Sequence, residues 1–221
     1  MLDEQINDLR KELIDYGALV EKMIEKSIRG LLQKDKNLLS EVIDKDEPRA
    51  NEFEIRLDEL CTSMIAKFQP KARDLRTILM VLKMNNDMER MADHAVNISE
   101  NGLFLITRPM VKPLIDIPRI AENAMSMVRD SINSFVIEDA DLARSVCERD
   151  SIVDALLDQV LRELITHMIT NPKTIERAMR LIAIARNLER IADLSTNIGE
   201  DVIFMVQGKV IKHHRNTNGP T

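Results

Sequence analysis

The chain has 221 residues, of which 44% are hydrophobic and 31% charged, with a formal net charge of −6 and a pI of ≈5.4. That balance argues against a nucleic-acid binder, which shows a basic field. No apolar run approaches the ~20 residues needed to cross a bilayer, so no membrane insertion is expected. Aromatics make up only 3%, with no Trp and one Tyr, and Gly (6) and Pro (7) are scarce. The remainder is helix-forming material, and too few aromatic, β-branched and turn residues are present for a sheet protein.

Apolar residues recur at three- and four-residue spacing almost throughout, the signature of amphipathic helices. Leu9, Leu13, Leu19, Val20, Met23, Ile24, Ile28 and Leu31 mark a first helix. Leu38, Leu39, Val42, Ile43, Phe53, Leu57, Leu60, Met64 and Ile65 mark a second, in which Pro48 is expected to cause a kink or bulge. Asp74 is placed to cap a third helix, which Leu75, Ile78, Leu79, Leu82, Met88, Met91, Val96 and Ile98 then trace. The run Arg108-Pro109-Met110-Val111-Lys112-Pro113 cannot continue a helix and reads as a linker. Pro118 suits the first turn of a fourth helix.

The second half repeats the first. Adding 104 aligns Met23 with Met127, Ser27 with Ser131, Asp35 with Asp139, Val42 with Val146 and Asp46 with Asp150. Further on the offset becomes 100, so that Glu89, Arg90, Asp93, Asn97 and Glu100 match Glu189, Arg190, Asp193, Asn197 and Glu200. In the second helices both offsets remain open: Glu54/Asp154 with Asp58/Asp158, or Leu60/Leu164 with Met64/Met168. The fold class is therefore all-α, with six long helices in two pseudo-symmetric three-helix bundles. The expected divisions are residues 1–107, a linker over 108–116, a second bundle over 117–208 and a polar, frayed tail over 209–221.

Each third helix carries Glu-Arg-x-Ala-Asp, as Glu89–Asp93 and Glu189–Asp193. Residues four apart share a helix face, so each Glu lies one turn from its Asp and each Asp one turn from Asn97 or Asn197. The second helices carry acids at the same spacing, Glu54 with Asp58 and Asp154 with Asp158. If second and third helices are antiparallel neighbours, four carboxylates converge on one strip in each repeat. Their mutual repulsion amounts to several kcal/mol (~4 at 4 Å and intermediate dielectric), and a bound cation would offset it. Oxygen-only ligands suit Mg²⁺, Ca²⁺, Mn²⁺ or iron. The competing reading is a solvated acidic face, with Arg90 and Arg190 in simple surface ion pairs. Doubling of the motif at matched positions favours function.

Other candidates are weaker. His94 has Leu194 as its counterpart, His167 reads as a surface residue, and His213 and His214 fall in the tail. Cys61 and Cys147 read as buried reduced thiols, and the 13 Met as core filler. No Gly-rich phosphate loop, Ser/His/Asp set or CxxC is present.

The run Phe68-Gln69-Pro70-Lys71-Ala72-Arg73-Asp74-Leu75-Arg76, followed by Met88–Ile98 and then Leu188–Ile198, resembles the PhoU family over about residues 5–207. The second repeat lacks a counterpart to QPxAxDLR. The resemblance implies a non-enzymatic negative regulator of the phosphate-starvation response. Its implied partners are the ATPase subunit of a phosphate ABC transporter and a phosphate-sensing histidine kinase. It also implies a cytoplasmic homodimer, peripheral at the inner membrane through those partners. Glu89, Asp93, Glu189 and Asp193, joined by Glu54, Asp58, Asp154 and Asp158, would hold a divalent metal or iron cluster. The alternative is a carboxylate-bridged di-metal helical-bundle enzyme or a metal-storage protein. Against it, the Glu-x-x-His signature of ferritin-like sites is absent, because Ala92 and Ala192 stand where His is needed.

Overall fold

A computed structural model describes residues 2–207, so the expected polar tail lies outside the described residues. Long amphipathic stretches with few interruptions give long helices. These are α1 (Leu2–Gln33), α2 (Lys36–Glu41), α3 (Glu47–Phe68), α4 (Ala72–Ile106), α5 (Asp116–Ile137), α6 (Ala140–Thr170) and α7 (Ile175–Gln207). A π-helical segment, Val42–Asp46, joins α2 to α3, so together they form the expected second helix with a bulge just ahead of Pro48. A 3₁₀ turn, Pro172–Thr174, leads into α7. No strand occurs among the described residues.

The repeats start their second helices in the same way. The Asp35 carboxylate accepts from the Asn37 and Leu38 amides, and the Asp139 carboxylate from those of Asp141 and Leu142. Each bond satisfies helix-start amides that otherwise lack partners. The third helix departs from expectation. It begins at Ala72 after an uncapped Lys71, so Asp74 sits inside the first turn. There it faces the helix's positive end, and it does not serve as the cap.

Buried residues fix the internal alignment. Leu39 and Val42 correspond to Ala143 and Val146 at an offset of 104. After the π segment, Ala50, Leu57 and Cys61 correspond to Val153, Val160 and Leu164 at an offset of 103. In α4 and α7, Ile78, Met84, Met88 and Met91 correspond to buried Ala178, Ile184, Leu188 and Ile191 at an offset of 100. A π bulge inserts one residue into an α-helix, which accounts for the step from 104 to 103. Past the π segment, where the acidic pairs lie, neither offset open at the sequence level, 100 or 104, holds.

The two bundles meet along α4 and α7, which run antiparallel. Lys83 Nζ lies 3.0 Å from the Asp201 carboxylate, His94 Nδ1 lies 2.8 Å from Asn187 Oδ1, and Arg180 bonds Asn101 Oδ1 at 3.2 Å. A continuous core fills both bundles, with Met23, Met84, Met88, Met91 and Met127 fully buried, as filler should be. Leu39 packs where Gly30 and Gly102 leave room: a Cβ on either glycine would come within 2.7 Å and 3.0 Å of the Leu39 side chain. Both cysteines are free thiols. Burial pushes Cys61 up to about 12 and Cys147 to about 11, with nearby carboxylates adding to each, so neither is reactive at neutral pH.

Candidate functional site

The sites form where α3 packs beside α4 and α6 beside α7. Each pair is antiparallel: the Cys61 thiol lies on the Ile78 carbonyl while Asn85 donates to the Glu54 carbonyl, and the Cys147 thiol lies on the Thr196 carbonyl while Thr174 bonds the His167 carbonyl. In the first repeat Asn85, Glu89, Asp93 and Asn97 follow one another at four-residue spacing along α4. Buried Asn85 is the anchor: its Nδ2 donates to the Glu54 carbonyl at 2.9 Å and to Asp58 Oδ1 at 2.8 Å.

Electrostatics show which acids share a field. Glu89 is held above the ordinary carboxylate range by desolvation, then by Asp93 and Glu54, with Arg90 pulling the other way. Glu47 is raised by desolvation, then by Asp93 and Glu100. In the second repeat Glu189 is raised by desolvation and Asp193, against Arg190, with Asp154 and Asp150 adding to the rise. Asp154 is raised by desolvation, Asp193 and Asp158. In each strip burial comes first and like charge second.

Seven of the eight residues expected from sequence, all but Asp58, thus fall in the two strips. Glu54 joins Glu89 and Asp93, and Asp154 joins Glu189 and Asp193, with exposed Asp158 linked to the second strip through Asp154 alone. Asp58 stands one turn aside, exposed and engaged by Asn85. The pairing of Glu54 with Asp154 and of Asp58 with Asp158 is not symmetric. At the offset of 103, Glu54 and Asp58 correspond to Leu157 and Leu161, while Asp154 and Asp158 correspond to Asn51 and Ile55. The acid that does repeat is Glu47 with Asp150, and sequence reasoning missed both as site residues. Asp150 stands four residues before Asp154, as Glu47 stands four before Asn51, so the same four-residue spacing carried the signal.

The arginines of the two motifs behave differently. Arg190 bonds Asp193 at 2.9 Å, inside the strip, whereas Arg90 turns away to Asp87 at 3.8 Å. The first strip therefore lacks the ion pair that Arg190 makes in the second. It also holds Tyr16, fully buried and stacked on Phe53 with centroids 5.3 Å apart. The Tyr16 hydroxyl makes no hydrogen bond among the described residues. Burial, then Glu54, Glu89 and Asp93, push its pKa upward, so it is a neutral donor beside the acids.

The donors are of the right kind for a hard cation, all oxygens, with one orphaned hydroxyl among them. The geometry is not that of a formed site. Among the described residues, no three His, Cys, Asp or Glu side chains close on a common point that could hold an ion. The arrangement as it stands does not fit a resident metal without side-chain movement.

A duplicated three-helix bundle, with an acidic strip across the second and third helices of each copy, defines a class of two-repeat, all-helical proteins. The PhoU domain profile matches this chain twice, over residues 13–102 and 117–202. The chain belongs to the PhoU family. It is 37% identical over 212 residues to the phosphate-specific transport system accessory protein PhoU homolog of Aquifex aeolicus, covering 96% of each chain. It is 34% identical to PhoU homolog 2 of Thermotoga maritima, covering 96% of this chain and 90% of that one. The crystal structure of PhoU from Pseudomonas aeruginosa superposes with a TM-score of 0.91 at 33% identity, covering 95% of this chain and all 100% of that one. The Streptococcus pneumoniae phosphate transport system regulatory protein PhoU, at 23% identity and a TM-score of 0.88 over 96% and 100% of the two chains, shares the fold.

Proposed function

We propose that this protein is an accessory regulator of phosphate transport that represses the phosphate-starvation response by binding other proteins. The supporting observation is the match to phosphate-specific transport system accessory proteins along the whole of both repeats, at 37% identity over 96% of each chain for the Aquifex aeolicus protein. The partners are the ATPase subunit of a phosphate ABC transporter and a phosphate-sensing histidine kinase. The location is the cytoplasm, and the working form is a homodimer. No helix of the described residues is long and apolar enough to cross a membrane, so association with a membrane transporter is peripheral.

The acidic strips serve this role as charged faces whose repulsion a divalent cation or iron relieves once the side chains close on it. Glu47, Glu89 and Asp93 in one repeat and Asp150, Glu189 and Asp193 in the other are the residues that would hold it. Tyr16 offers a hydroxyl in the first strip alone, which makes the two strips chemically unequal.

The decisive experiment is deletion of the gene in cells grown with abundant phosphate. Phosphate-starvation genes should switch on, and a plasmid copy should silence them again. Unchanged repression in the deletion strain, with no second copy of the gene present, would overturn the regulatory reading. A pull-down from phosphate-replete cells should recover the transporter ATPase or the kinase, and recovery should fall with salt, since charged surfaces carry the contact.

A further inference from the structure

One end of the molecule gathers the close of α1, the linker after α4 and the turn between α6 and α7. The contacts that hold these together are explicit. Arg177 donates to the Pro109 carbonyl at 2.6 Å, Lys112 bridges Asp116 and Glu163, and Arg180 and Arg108 both lie over the Phe104 ring. Large apolar side chains stand exposed across this end: Leu32 (43%), Met110 (54%), Ile115 (66%), Ile169 (77%), Ile175 (46%) and Met179 (53%). Soluble surfaces do carry single exposed apolar residues, but six gathered at one end from separate segments mark an interaction site. A cavity of ≈280 Å³ opens among Leu32, Leu105, Met110, Pro113 and Ile115.

The charge here runs against the rest of the chain. The net charge is −6, yet Lys34, Lys36, Arg108, Arg119, Arg162 and Lys173 are all exposed around the apolar group. Lys34, Lys36 and Lys173 have no ion-pair partner among the described residues. Of the acids at this end, Asp35 caps α2 and Asp116 and Glu163 are engaged by Lys112, while Glu176 is exposed in the first turn of α7 and offsets one of these cations. Three separate segments make up the apolar group. It therefore forms a broad end, unlike the single-helix line of anchors that a groove for a partner helix presents.

We infer that this end docks directly on an anionic lipid surface. Lys34, Lys36, Arg108 and Lys173 face the headgroups, while Met110, Ile115, Ile169 and Ile175 enter the boundary with the acyl chains. Apolar burial at the interface and attraction to anionic lipid act together, and neither alone holds a protein well. The inference stands on these residues and not on the proposed regulatory role, so either can fail without the other.

Flotation of the full-length protein with lipid vesicles tests it. The probes are vesicles of phosphatidylcholine alone and vesicles with about one third phosphatidylglycerol. The protein should float with the anionic vesicles, bind phosphatidylcholine weakly, and be released by salt. Lys34→Glu with Lys36→Glu and Lys173→Glu should lower the partition by about tenfold or more. Met110→Asp with Ile169→Asp should lower it too. All five sites are exposed, and an unchanged helical circular dichroism spectrum confirms the fold. Lys67→Glu with Lys71→Glu, at the far end of α4, should leave partition unchanged. Absence of flotation with the anionic vesicles would overturn the inference, as would an equal loss in the Lys67/Lys71 variant. So would a homodimer that Met110→Asp with Ile169→Asp dissociates while neither vesicle binds, because the end would then be an interface between copies.

Discussion

Asp46 and Arg149 occupy equivalent positions in the two repeats and play opposite parts in the same ion pair. Asp46 accepts from Lys26 of α1 at 2.7 Å, and Arg149 donates to Asp130 of α5 at 2.6 Å. Lys26 and Asp130 are themselves equivalent, at an offset of 104. The bridge has been kept in both repeats with its polarity reversed. It ties the first helix of each bundle to the second at the point where the π segment shifts the register of the first repeat.

The first prediction follows from the burial of Lys26 and Asp46, whose side chains are 8% and 3% exposed. Removing Asp46 leaves buried Lys26 with only the more exposed Glu41 at 3.2 Å, so the loss approaches but does not reach the about 3–5 kcal/mol of a wholly unpaired buried charge. Asp46→Asn alone should lower stability by about 1–3 kcal/mol in urea unfolding, and Asp46→Asn with Glu41→Gln by more. Copying the second repeat, with Lys26→Asp and Asp46→Arg together, should retain more stability than either single change. The double-mutant cycle reads the coupling directly. An additive double variant would show that the pair does not act as a unit.

Six helical segments and the duplication were legible because a 3.6-residue apolar period survives wherever a helix buries one face. The register of the second helices was not legible. A π turn at Val42–Asp46 inserts one residue without breaking the apolar pattern. The chemical identity of Asp46 and Asp150 then pointed to the wrong equivalence. Asp46 is a core partner of Lys26, whereas Asp150 lies in the field of Glu189. Glu47 was masked in the same way, as the neighbour of Pro48 at a helix break. The Glu89–Asp93 and Glu189–Asp193 pairs were legible because no irregularity interrupts α4 or α7 between them.

The second prediction concerns pH. Glu47, Glu89, Asp154 and Glu189 all have folded-state pKa values above their ordinary ones. The folded chain therefore holds these protons more tightly than the unfolded chain. Their contribution to stability is full below the ordinary carboxylate range and is lost as pH rises through the raised values. Glu41, Glu138 and Glu163 are lowered and act in the opposite sense, losing stability as pH falls. The strip is isolated by difference: Glu89→Gln with Glu189→Gln should raise the melting temperature near neutral pH and leave it little changed near pH 4. Equal shifts at both values would rule out the electrostatic account.

The third prediction concerns Asp87, at the α4–α7 seam. Desolvation pushes its carboxyl up to about 6, opposed by Arg90 and Lys83 and helped by Asp201. The folded pKa lies above the unfolded one, so stability should fall as pH rises from about 4 through about 6. Asp87→Asn should remove that slope and stabilise the protein by the order of 1–3 kcal/mol at pH 8. Thermal denaturation at several pH values measures both. A slope that persists in Asp87→Asn would place the titration elsewhere.

The fourth prediction tests the corrected register of the acidic strips. A cation that binds the folded chain raises its melting temperature by mass action. Glu47 and Asp150 repeat across the two halves, and Glu54 and Asp58 do not, so variants should separate them. With Mn²⁺, Mg²⁺ or ferrous iron as the probe, Glu47→Ala should remove the gain from the first strip and Asp150→Ala that from the second. Asp58→Ala should preserve the gain, because that carboxylate is held by Asn85 and stands outside the field of Glu89. Tyr16→Phe should weaken binding at the first strip only, since Ile120 occupies the equivalent place in the second repeat at an offset of 104. If no cation moves the melting temperature, the strips are not metal sites. Loss in Asp58→Ala with none in Glu47→Ala would instead return the ligand set to the pairs that sequence spacing first suggested.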